Sequence, residues 1–113
     1  MSWNLIIYQP GNPSGQSKPL GRLDRVKEAF SSVFPELEWE SPNEATLPIE
    51  GGFRLELTEQ DGLVVDVSTH GGFNHLQQFA GLCKREGWRM ADAQEGEDVD
   101  LEDPVRWMED RCG

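Results

Sequence analysis

Basic residues are scarce in this chain of 113 residues: ten Lys and Arg stand against 21 Asp and Glu, a formal net charge of −11. A surface of that sign repels phosphate, which argues against a nucleic-acid groove and against docking on an anionic membrane. Histidine is almost absent, with only His70 and His75. The two cysteines, Cys83 and Cys112, form no C-x-x-C pair, so a Cys-ligated zinc site or a redox pair has no basis in the sequence. No apolar run approaches the ~20 residues of a membrane helix. The opening "MSWNLIIYQP" lacks the basic region and small-residue cleavage site of a secretory signal. The expectation is a cytoplasmic protein with reduced thiols.

Two motifs are approached and missed. The loop "GNPSGQSK" from Gly11 does not meet the phosphate-binding pattern G-x-x-x-x-G-K-[ST], because the next glycine comes four residues on and Lys18 follows Ser17. An EF-hand starting at Asp92 fails because Gly96 falls at the fifth position and Glu97 at the sixth. No G-x-S-x-G elbow accompanies His70-Gly71-Gly72, so the hydrolase reading of that triplet has no nucleophile.

What the chain does have is core-building material: 36% apolar residues, with four Trp and five Phe. That composition points to one folded domain over 1–113, with an acidic C-terminal segment from 92. "WNLIIY", 3–8, reads as a buried strand, and 9–19 as a loop. Leu23, Val26, Phe30 and Val33 recur at helical spacing, with Ser17 or Gly21 as cap and Pro35 as stop. Residues 37–40 read as a short strand and 41–52 as a second loop. "FRLELTE" and "LVVDVST" flank Asp61-Gly62, a strong hairpin signal. Leu76, Phe79, Ala80 and Cys83 mark a second helix, with Asn74 and Gln77 at capping-box spacing and Gly87 as the left-handed stop. Residues 88–92 read as a strand, Val99 and Leu101 as a short edge strand, and 104–111 as helical turns opened by Pro104. The order is βαββαβ. It predicts an α+β two-layer sandwich, an antiparallel sheet with two helices on one face, ferredoxin-like as first choice. Trp3, Phe30, Phe53, Phe79 and Trp88 fall at inward positions, and Cys83 reads as a core hydrophobe rather than a reactive thiol.

Candidate functional residues fall in two places. The loop His70-Gly71-Gly72 to His75 is read first as architecture, with glycines turning a strand into a helix. Its sharper reading is a ligand loop for an anion, or a metal held by both histidines and Asp66. A spacing of five, however, does not put two histidines on one helix face. The second place is the tail. Nine acids between Asp92 and Asp110 meet one base, Arg106. Asp92, Glu95, Glu97, Asp98, Asp100 and Asp103, with Trp88 and Trp107 as aromatic anchors, make a candidate docking face for a protein with a basic surface. Trp88 is thus read both as core and as anchor. No catalytic constellation stands out and no cofactor is implied, so the expectation is a non-enzyme.

Gly87-Trp88, Asp92-Ala93-Gln94-Glu95-Gly96 and Asp100-Leu101-Glu102-Asp103-Pro104, all within 82–104, resemble a pattern of small proteobacterial proteins. In size, acidity and layout the chain resembles bacterial toxin-immunity proteins. The resemblance covers about a fifth of the chain and carries over no catalytic residue. It implies a protein that acts by binding, neutralising a toxin or effector by covering its site. The alternatives are a small-molecule-binding or metal-dependent enzyme or sensor built on the His70–His75 loop, and an acidic nucleic-acid mimic inhibiting a nuclease.

Overall fold

The computed structural model describes residues 4–11 and 18–112. Trp3, the Ser17 cap and residues 12–17 of the first loop lie outside the described residues. Asn4–Tyr8 form strand β1, with Leu5 and Ile7 buried and their neighbours half-buried, the alternation of a strand with one face on a core. Gly21–Arg22 make a two-residue strand, β2, which runs straight into helix α1, Leu23–Val33. Val26 and Phe30 bury the inner face of α1, and the helix stops at Phe34, the residue that Pro35 forces out of helical geometry. The start is not as expected: Arg22 takes the cap position without a side-chain hydrogen bond.

Residues 37–52 hold more order than their composition shows. Glu38–Ser41 form β3 and Glu44–Thr46 form β4, so part of the expected second loop is strand. The hairpin follows as expected: β5, Phe53–Gln60, and β6, Leu63–Gly71, turn through Asp61 (φ 55°) and Gly62 (φ 81°). Two successive positive φ values make the tight turn whose twist matches the strands. Thr58 pairs with Asp66 but Glu59 pairs with Val64, so Val65 is an extra residue. This bulge lets Val64 and Val67, three apart, both point into the core.

The strands order as β3-β4-β5-β6-β1-β7, every pair antiparallel, with β2 on β6 beyond the end of β1. Registers align side chains in rows across the sheet. On the core face one row reads Trp39, Ala45, Leu55, Thr69, Leu5, Asp92, and the next Leu57, Val67, Ile7, Met90. Helix α2, Leu76–Glu86, packs beside α1 and against β7, Arg89–Asp92. Gly87 ends it in the left-handed conformation (φ 77°), and the N–H of Trp88 reaches the Cys83 carbonyl at 2.8 Å. A third helix, α3, Pro104–Cys112, lies against α2. The described residues are therefore α+β with a seven-stranded antiparallel sheet and three helices, one helix and three short strands more than the βαββαβ order supplies.

One hydrophobic cluster joins sheet and helices. Phe30, Phe79, Ile7, Leu55 and Met90 are among its fully buried members, each worth about 1.5–3 kcal/mol of burial. Phe34, Phe53 and Phe79 meet edge-on or tilted with ring centroids 4.8–5.3 Å apart. Cys83 sits within it, and burial pushes its thiol up to about 12, as suits a small core residue. No helix among the described residues is long and apolar enough to cross a membrane.

Candidate functional site

The two histidines do not share a site. Strand β6 runs on to Gly71, which carries His70 onto the open face of the sheet, away from the helices. There a row crosses five strands: Glu38, Thr46, Arg54, His70, Asn4. Nδ1 of His70 lies 3.1 Å from Asn4 Oδ1, and Nε2 lies 3.5 Å from Glu56 Oε1. Arg54 donates to Glu44 at 2.8 Å and lies 3.3 Å from Glu56. The hydrogen bond to Glu44, then the Glu56 charge, raise the Arg54 guanidinium above its usual range. His75 instead turns inward, its ring edge-on to Phe34 and Phe53 at 5.7 and 5.5 Å. Its Nδ1 lies 2.7 Å from Gln78 Oε1.

Between them the glycines act as turn residues. Gly71 and Gly72 have φ of 84° and 90°, and a Cβ on Gly72 would stand 3.0 Å from Phe79 and 3.2 Å from Phe53. The expected Asn74–Gln77 capping box does not form. Phe73–His75 make a 3₁₀ turn closed by His75 N–H on the Gly72 carbonyl at 2.9 Å, which delays α2 to Leu76 without a side-chain cap. Among the described residues no three His, Cys, Asp or Glu gather in a way that could hold a metal ion.

The tail is built differently from a loose acidic extension. Asp92 is 4% exposed because Met90 and Asp92 share the core face of β7. Its carboxylate accepts the Gln94 N–H at 2.8 Å, and its backbone closes a loop through Glu97 O and Gly96 N–H. The chain then doubles back along the free edge of β7. Ala91 pairs with Asp98, and Val99 N–H reaches the Met90 carbonyl at 2.8 Å. Val99 is 5% exposed and Leu101 packs against the core beside it. The predicted edge strand is thus one isolated bridge, with Val99 as a plug. Asp100 accepts from Glu102 N–H at 2.9 Å, and Asp103 from Arg106 N–H at 3.3 Å, the geometry of a cap before Pro104. Residues 93–103 therefore form a strap anchored at both ends.

Of the eight residues expected at a docking face, Glu95, Glu97, Asp98, Asp100 and Asp103 are exposed on this strap. Asp98 is held from the sheet, accepting from Tyr8 Oη at 2.5 Å and lying 3.6 Å from Arg89. Burial and that carboxylate push the Tyr8 phenol above its ordinary value. Trp88 is in the core, 4% exposed and stacked on Phe30 at 6.0 Å, so its place is the core one of its two readings. Asp92 is buried with it, and Trp107 is half-buried against the core. Sequence reasoning passed over Arg89 and Tyr8, which position the strap with Val99. The alternation Met90, Asp92 carried the sign that Asp92 points inward. No family model, curated protein or solved structure matches this chain.

Proposed function

We propose that the protein acts by binding, as an immunity-type inhibitor whose acidic strap meets the basic surface of a bacterial toxin or effector and covers its site. The observation that carries this reading is the anchoring of the strap. Val99, Leu101 and Met108 pack on the core, so the carboxylates of Glu95, Glu97, Asp98, Asp100 and Asp103 stand on a fixed frame. A preorganised charged face loses less freedom on association and steers an oppositely charged partner. The adjacency β7-β1-β6-β5 supports a ferredoxin-like core to which β3, β4 and α3 are additions. A cytoplasmic setting fits the buried, unpaired Cys83.

Capture from the source cells tests the reading, with a triple Glu95→Lys, Glu97→Lys, Asp100→Lys variant beside the unaltered chain. The expected result is a basic protein retained at low salt, released at high salt, lost in the variant, and inhibited when bound. If that protein is a nuclease, the same face works as a nucleic-acid mimic. Retention unaffected by salt and by the variant would refute the strap as the docking face.

A further inference from the structure

A groove of about 690 Å³ lies between α1 and the end of α2, on the side of α2 opposite α3. Its size is that of a small-ligand site. Three of the chain's ten basic residues line it: Arg22 at the head of α1, Arg25 in its first turn, and Arg85 in the last turn of α2. Arg85 lies sixty residues or more beyond the other two and joins them only in the fold. Arg54 is paired with Glu44 and Glu56, Arg89 with Asp98, and Lys84 with Glu102. In the groove Arg85 pairs with Glu86 at 3.0 Å, and Arg22 reaches Asp24 only at 3.9 Å, with the side chains of Arg22 and Asp24 both 79% exposed. Arg25 has no ion pair among the described residues.

Arg85 is held in place rather than loose. Nη2 donates to Ser32 Oγ on α1 at 3.2 Å, and Nε to Glu86 at 3.0 Å. One guanidinium therefore reaches from α2 to α1 in the groove that Arg25 also lines. Glu28 and Glu86 also line the groove, so the lining remains positive by one charge on a protein of net −11. Guanidinium forks match the planar oxygens of carboxylate and phosphate, and the apolar side of the groove at Trp88 leaves room for the body of a ligand.

We propose that this groove binds a small polyanion bearing phosphate or carboxylate groups, held between Arg25 on α1 and Arg85 on α2. No residue of the strap lines the groove. Amide NMR on the full chain tests it, with pyrophosphate in one titration and citrate in another at matched sodium. Saturable shifts are expected at residues 22–32 and 85–88. Arg25→Gln and Arg85→Gln should each weaken binding about tenfold, the loss of one charge-assisted hydrogen-bonding partner. Both arginines are exposed, so the variants keep the fold, which their spectra report directly. Arg54→Gln, on the other face of the sheet, should bind as the unaltered chain does. Saturation by pyrophosphate alone assigns a phosphate ligand, by citrate alone a carboxylate, and by both any oxyanion of that size. No saturable shift up to about 10 mM, or either groove variant binding unchanged, overturns the proposal. Shifts that arise on concentrating the protein alone overturn it too, because a second copy's acidic strap would then fill the groove.

Discussion

The open face of the sheet and the strap beyond β7 are both rich in carboxylates, and they handle them differently. On the sheet, carboxylates meet a cationic side chain: Glu44 and Glu56 share Arg54. On the strap, Asp100 and Asp103 accept backbone N–H groups and so shape a turn and a helix cap, as the buried Asp92 does where β7 leads into it. The sheet pairs Glu44 and Glu56 with Arg54, whereas Asp100 and Asp103 shape the strap and are still exposed. Asp98, tied to Tyr8 and Arg89, and Glu102, paired with Lys84, fasten the strap to the sheet and to α2.

That contrast is open to attack, beginning where the effect is largest. Leu55→Ala removes a fully buried side chain from the core face of the sheet, and should lower global stability by about 2–5 kcal/mol in urea unfolding, strap and sheet together. Val99→Ala attacks the strap alone. It should cost about 1–3 kcal/mol and, in hydrogen exchange, lose protection at Val99 and Asp92 while β5 and β6 keep theirs. Equal loss in the hairpin would mean the strap is no separate unit.

Alkaline titration separates both acidic regions from the core. Folding holds Cys83 protonated up to about 12 and Tyr8 above its usual value, while the unfolded chain ionises them nearer their ordinary pKa. The native state then binds more protons, so stability falls as pH rises past about 9, by about 1.4 kcal/mol per pH unit at most from Cys83. Cys83→Ala should flatten that limb, and a slope unchanged in the variant would assign it elsewhere. The smallest effect is at Asp103→Ala, where loss of the cap should cost about 1 kcal/mol and appear as reduced helix content in α3.

Local chemistry made part of this legible. Asp61-Gly62 announced the hairpin, the three-and-four spacing from Leu23 announced α1, and Gly87 announced the end of α2. Strand β3 was legible in 37–40, but β4 was hidden because Pro42, Pro48 and the Gly51-Gly52 pair mark turns, while of residues 41–52 only Ala45 and Leu47 are buried. The bulge at Val65 was hidden because a shift of parity leaves no mark in composition. In the tail, Val99 and Leu101 were legible as an edge strand, but their anchoring role and that of Met108 depend on neighbours distant in sequence. Distance also hid the arginine groove, since nothing near Arg22 or Arg25 points to Arg85. Gly71 and Gly72 turn the chain with positive φ as expected, but the strand runs two residues further than the sequence showed, which puts His70 on the sheet and sends the two rings to opposite faces.

Amide NMR with hexalysine as a basic probe tests the central claim most directly, because it asks the surface where it accepts positive charge. Shifts confined to residues 93–103 and the first turn of α3, lost in the triple strap variant and suppressed at about 0.5 M salt, are what the contrast predicts. Shifts centred on Glu44 and Glu56, or spread evenly over both regions, would contradict it.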